Sequence, residues 1–155
     1  MKELFLRQLH KDAGAQFIAI QESEIPANYG DVAGEIRAIN NTVALLDRSY
    51  LGKLVMRGHD ALDLLNRIST NDLLHLTVGS VLDTVFASPK GRLIDLCRII
   101  HNGDDLILIS SFFKSDHLID WINRFIILED AEVRDISEDY LWLTLLGPRA
   151  QQSQP

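Results

Sequence analysis

One cysteine, Cys97, stands in 155 residues, so no internal disulfide can form. The chain therefore suits a reducing compartment, and a cytoplasmic setting is expected. No apolar run approaches the ~20 residues that a membrane-spanning helix needs. The N-terminus reads as an amphipathic helix, not as the continuous apolar core of a secretory signal. No membrane partner is expected. Basic residues are scarce: 15 Lys and Arg face 22 Asp and Glu, for a net charge of −7. That shortage disfavours non-specific nucleic-acid binding, which needs clustered cations to neutralise phosphates, although it leaves room for a local basic pocket. The five histidines, His10, His59, His75, His101 and His117, are scattered. None has metal-ligand spacing, so no metal site is expected. Internal repeats and low-complexity stretches are also missing.

What is present is a hydrophobic fraction of 46%, enough to build the core of one ordinary domain or two small ones. Leu4, Phe5, Leu6 and Leu9 form a helical stripe that Gly14 can stop. His10, near the end of that helix, reads as a surface or capping residue. A short strand is expected over 16–20, a loop over 26–30, a short helix over 34–40 and an apolar strand over 42–46. From Leu51 the pattern changes. A strand over 52–57 leads through Gly58-His59-Asp60 into a helix carrying Leu62, Leu65 and Ile68. Asp60 suits the positive end of that helix's dipole. Two strands then flank Ser88-Pro89-Lys90-Gly91, a turn in which Pro fixes φ and Gly permits a positive one. Asn102-Gly103-Asp104 is a further turn into a strand over 106–109. Phe113, Leu118, Trp121, Ile122 and Phe125 mark one helix face. Strands over 131–136 and 140–146 follow, and Gly147-Pro148 opens a new helix. The fold expected is α+β: an antiparallel sheet with two covering helices, ferredoxin-like, over 51–138. Residues 1–50 and 139–155 read as part of a second antiparallel module. The later domains of a longer protein are expected to lie outside this sequence.

The hairpin over 83–100 carries the polar residues of most interest. Strand side chains alternate between faces. Asp95 therefore shares a face with Leu93 and Cys97, and Arg92 shares one with Arg98. A carboxylate among apolar neighbours marks either a sheet edge or a site. Cys97, between Leu96 and Ile99 in the neighbourhood, reads as a buried and inert thiol, because reactivity needs a cationic and partly exposed setting.

Five segments in order resemble the glycine-cleavage T-protein/YgfZ superfamily of folate-binding proteins. They are Ala44-Leu-Leu-Asp-Arg-Ser-Tyr-Leu-Gly-Lys53, Arg57-Gly-His-Asp-Ala-Leu-Asp-Leu-Leu-Asn-Arg67, Ser69-Thr-Asn-Asp72, the hairpin over 83–100, and Leu145-Leu-Gly-Pro-Arg-Ala150. The resemblance implies tetrahydrofolate as the bound small molecule. In T-proteins it further implies transfer of an aminomethyl group from a lipoyl carrier protein to tetrahydrofolate. The second Asp of the T-protein hairpin is the catalytic carboxylate, and here that position is Leu96. A leucine cannot exchange a proton. The first Asp of the pair matches Asp95, the fallback if the chain is catalytic. Family tyrosines are replaced by Asp83 and Ile100, an Asn by Ser110, and the Asp-Val-Ser-His-Met loop reads Asp47-Arg-Ser-Tyr-Leu51.

The pieces Asp-Thr-Val-Phe, Lys-Gly-Arg and Ile-Asp-Leu, with Arg124-Phe-Ile-Ile-Leu-Glu-Asp-Ala-Glu-Val-Arg134, are more similar to the YgfZ branch. That branch implies folate binding tied to iron–sulfur cluster maintenance, with iron–sulfur proteins as partners. Asp83, Asp95, Arg98 and Ser110 are the expected folate-binding residues. Asp95 would hold pterin N–H groups, or else pair with Arg92 or Lys90. Arg98 would meet the glutamate tail bidentately, or else form a cross-strand salt bridge. Asn71 and Asp72 read as turn residues, and Trp121 and Trp142 as core. An aminomethyltransferase that has diverged at the hairpin is the alternative expectation. A non-enzymatic interaction module is the third.

Overall fold

The computed structural model describes residues 4–20, 23–112 and 115–153. In chain order the elements are α1 (Arg7–Asp12), β1 (Gln16–Ile20), β2 (Ser23–Asn28), α2 (Val32–Asn41), β3 (Ala44–Asp47), β4 (Leu51–Arg57), α3 (Ala61–Ile68), β5 (Val81–Ala87), β6 (Leu93–Asn102), β7 (Asp105–Phe112), α4 (Ser115–Asn123), β8 (Glu132–Asp135) and β9 (Leu143–Leu146), followed by a short 3-10 turn, Ala150–Ser153. Phe113, expected on the apolar face of α4, lies outside the described residues. The chain divides into two compact units, Met1–Tyr50 with Leu141–Pro155, and Leu51–Tyr140.

The first unit holds two antiparallel strand pairs, β1 with β2 and β3 with β9. Phe5 and Leu9, expected on one apolar helical stripe, are exposed, and Phe5 precedes α1; two further departures from the sequence reading occur here. Pro26 was expected in a loop, yet it sits in β2 opposite Phe17. A two-stranded ribbon leaves each strand one open edge, so the missing proline N–H can be accommodated there. The second departure is His10. It is buried, with 5% of its surface exposed, and is neither a surface residue nor a cap. Its Nε2 lies 2.7 Å from Asp47 Oδ2, and its Nδ1 lies 2.7 Å from the Tyr29 hydroxyl. Both ring nitrogens of His10 are thus engaged, one by the Asp47 carboxylate and one by the Tyr29 hydroxyl. One line of bonds thus ties α1, the residue after β2, and the end of β3.

Burial works against ionisation of Asp47, but hydrogen bonds from Ser49 and His10 outweigh it and hold the carboxyl below its ordinary 3.8. Burial, then the negative charges of Asp47 and Glu35, push the Tyr29 phenol up, so it remains a donor. The folded-state pKa of Asp47 is depressed. Its contribution to stability is therefore full above the unfolded value and lost as pH falls through the folded one. Acid titration of the wild type, followed by circular dichroism, is expected to show an unfolding step below pH ~4 that shrinks in Asp47→Asn. An identical acid limb in the two proteins would refute the linkage.

The second unit is a five-stranded antiparallel sheet in the order β5-β6-β7-β4-β8. It is the ferredoxin-like arrangement with β5 added at one edge. α3 and α4 cover one face. Leu54, Met56, Leu64, Leu65, Phe86, Ile99, Leu108, Leu118 and Ile122 are each fully buried in the resulting core. Trp121 joins them, as expected, with its ring 5.7 Å from Phe86 and 4.6 Å from Phe125.

An unpaired edge strand would be open to foreign strands. β5 is protected by the polar loop over 69–72. Thr70 N–H donates to Val85 O at 3.0 Å, Val85 N–H to Thr70 Oγ1 at 3.3 Å, and Asn71 Nδ2 to the Asp83 carbonyl at 3.0 Å.

Candidate functional site

The candidate site is the β5–β6 hairpin. Its turn closes through Gly91 N–H to Ser88 O and Ser88 N–H to Arg92 O, both 2.8 Å, with Gly91 at φ +72°. Asp83 faces Arg98, Thr84 faces Cys97, Val85 faces Leu96 and Phe86 faces Asp95. The register then shifts between Phe86 and Ala87, so Leu93 falls opposite Ala87. The shift breaks the alternation expected for Leu93, which is exposed while Asp95 and Cys97 are buried.

The two faces differ in kind. Thr84, Phe86, Asp95, Cys97 and Ile99 are buried, and Phe86, Cys97 and Ile99 belong to the helix-covered core. Asp83, Leu96 and Arg98 lie on the other face and are exposed. Asp83 and Arg98 form a bidentate cross-strand pair, Nε to Oδ1 at 2.7 Å and Nη2 to Oδ2 at 2.9 Å. The bond from Arg98 holds the Asp83 carboxyl below the usual range, and Asp83 in turn raises Arg98. Leu96, at 56% exposure, presents an aliphatic surface beside this pair.

Asp95 has a different role from either expected pairing. At 1% exposure it bonds neither Arg92 nor Lys90 among the described contacts. Its carboxylate accepts the Ser111 N–H at 3.1 Å and the Ser111 hydroxyl. This joins β6 to β7 from the buried side. Ser110 is equally buried and donates to the Ser111 carbonyl at 3.3 Å. Gly52 passes so close that an added Cβ would overlap Ser110 Oγ and lie 3.1 Å from Ser115 Cβ at the start of α4.

The four expected residues therefore do not share a face. Asp83 and Arg98 stand together on the open side, while Asp95 and Ser110 lie behind it. Ser111, which sequence reasoning passed over, connects the latter two. Its only sequence signal was a polar pair, Ser110-Ser111, ending an apolar strand. Burial, then the charges of Asp95 and Asp83, raise the Cys97 thiol well above its ordinary value, so it is inert. No group of three or more His, Cys, Asp or Glu that could hold a metal occurs among the described residues. No described helix is long and apolar enough to cross a membrane.

The family model described as "GCVT N-terminal domain" matches residues 6–153. The chain belongs to the GCVT family. A curated aminomethyltransferase from Halothermothrix orenii is 30% identical over 98% of this GCVT-family chain and 43% of its own length. One from Thermotoga neapolitana is 25% identical over 99% of the chain and 42% of its own length. The chain thus spans less than half the length of these relatives. The crystal structure of glycine cleavage system aminomethyltransferase T from Bartonella henselae superposes with a TM-score of 0.89 at 20% identity, over 97% of this chain and 42% of that one. At that identity the match establishes the α+β fold.

Proposed function

We propose that this GCVT-family chain is part of a tetrahydrofolate-binding protein that lacks T-protein acid–base chemistry at its hairpin. The observation that carries the reading is Leu96. It is exposed at the position matching the family's catalytic carboxylate, and the adjacent Asp95 is turned to the covered face and engaged by Ser111. General acid–base catalysis is worth about 10²–10⁴-fold, and an aliphatic side chain cannot supply it.

The open face fits a folate in its chemistry. Leu96 offers apolar surface to a flat ring, and the Arg98 guanidinium suits a glutamate carboxylate, with Asp83 as the partner to be exchanged. Asp95 and Ser110 would support this face from behind by fixing β6 against β7. Tetrahydrofolate, when bound, supplies the nitrogens that carry a one-carbon unit. The YgfZ-type role, folate binding tied to iron–sulfur cluster maintenance, is the finer form of this reading. It rests on the hairpin wording and on Arg124–Arg134.

The names of the relatives favour a second reading: an aminomethyltransferase acting on a lipoyl-bound aminomethyl group. Titrating the full gene product with tetrahydrofolate, alongside an assay of lipoyl-dependent aminomethyl transfer, separates the two. Saturable binding with transfer at least ~100-fold below that of the Halothermothrix orenii enzyme is expected. Comparable transfer rates would overturn the proposal in favour of the second reading. No binding would leave the chain an interaction module.

A further inference from the structure

The loop between α4 and β8 displays two adjacent aliphatic side chains, Ile127 at 80% and Leu128 at 95% exposure. Single exposed aliphatics are ordinary on protein surfaces. This pair is different because the loop beneath it is fixed at several points. The Glu129 carboxylate folds back and accepts the N–H groups of Ile127 at 2.9 Å and Leu128 at 3.1 Å. Arg67 on α3 donates to Glu129 at 2.9 Å and also pairs with Asp63 at 3.0 Å. These bonds hold Glu129 low, at about 2. One residue on, Asp130 N–H donates to Asp60 at 2.9 Å, and Asp60 N–H returns a bond to the Asp130 carbonyl at 3.0 Å. The backbone of Gly58 lies against the same carbonyl. The loop is therefore held in one shape while its two largest apolar groups face outward. A preorganised apolar tip lowers the ordering cost of association.

We propose that the Ile127–Leu128 tip is a docking point for a partner protein that offers an apolar pocket with a basic rim. The charge around the tip selects the occupant. The network that fixes the loop contains four carboxylates, Asp60, Asp63, Glu129 and Asp130, against one guanidinium, Arg67, and the His59 ring 3.1 Å from Asp60, so negative charge stays in excess. Anionic lipid headgroups are repelled by that rim, and a Lys- or Arg-bordered pocket is attracted to it. The proposal stands apart from folate binding, because neither side chain belongs to the hairpin.

The test places a photoreactive benzoylphenylalanine at Leu128 in the full gene product in its own cells. Any protein crosslinked there is identified, purified and titrated against wild type, Ile127→Ser/Leu128→Ser and Glu129→Gln. The expected result is a partner whose affinity falls at least about tenfold in the double variant. Affinity should also weaken as salt rises, and Glu129→Gln, which keeps both aliphatics but loosens the loop, should fall in between. The melting temperature and tetrahydrofolate affinity of the double variant should match wild type. The proposal is overturned if no crosslinked protein depends on the two residues in titration. It is equally overturned if Leu128 crosslinks only within its own polypeptide, or if the double variant instead abolishes co-sedimentation with phosphatidylserine vesicles or self-association of this chain.

Discussion

Gly58→Ala is expected to destabilise the second unit by about 3 kcal/mol or more, summing a strained backbone and an overlap that cannot relax. Gly58 sits at φ +116°, where side-chain-bearing residues rarely go. An added Cβ would lie 2.8 Å from Ala131 Cα and closer still to the Asp130 carbonyl carbon and oxygen. Those neighbours are backbone, and the Asp60–Asp130 bonds hold them in place. Neither partner can swing aside as a long side chain would. Gly79→Ala is the matched control. Its φ is +82° with nothing within 4 Å of the added Cβ, so only the left-handed strain of about 1–2 kcal/mol applies. Urea unfolding of both variants gives the comparison. Equal losses would mean that the contact with Asp130 carries no weight.

Asp95→Asn is expected to cost about 1.5–3 kcal/mol, the range for a hydrogen bond to a charged group. The buried carboxylate accepts both the backbone N–H and the hydroxyl of Ser111. An amide keeps one acceptor for the Ser111 N–H and can only donate to the Ser111 hydroxyl, so both charge-assisted bonds become neutral ones and the hydroxyl proton loses its acceptor. The loss should appear in thermal unfolding. On the proposed reading it should not appear as lost turnover, since Leu96 has already removed the acid. A large fall in aminomethyl transfer with an unchanged melting temperature would mean that Asp95 acts in catalysis, and the diverged-enzyme reading would replace the proposal.

The strands and helices of the second unit were legible because their patterns are local. Alternation marked β6, Gly91 and Pro89 marked the turn, and Leu65 with Ile68 marked α3, whereas β4, read as an alternating strand, is buried on both faces from Leu51 to Met56. Pro26 misled because proline is usually read as a strand breaker, while a two-stranded ribbon has an edge to spare for it. His10 misled for a different reason. Its partner Asp47 is 37 residues away, and nothing in the helix around His10 signals a carboxylate arriving from another strand. The same holds for Asp95 and Ser111, 16 residues apart and joined only once β6 and β7 are in register. Alternation could say that Asp95 and Leu96 point to opposite faces. It could not say which face the helices would cover, and that decides which of the two is exposed.

The division of the β5–β6 hairpin into a buried face and an open one also bears on how such a protein changes over generations. Thr84, Phe86, Asp95, Cys97 and Ile99 keep the hairpin folded, and Asp83, Leu96 and Arg98 do not enter that core. A substitution on the open side can therefore remove or install an acid without endangering the architecture. On the proposed reading, the chemistry of the open side can change while the scaffold is kept, so similarity of fold alone does not report whether an acid stands there.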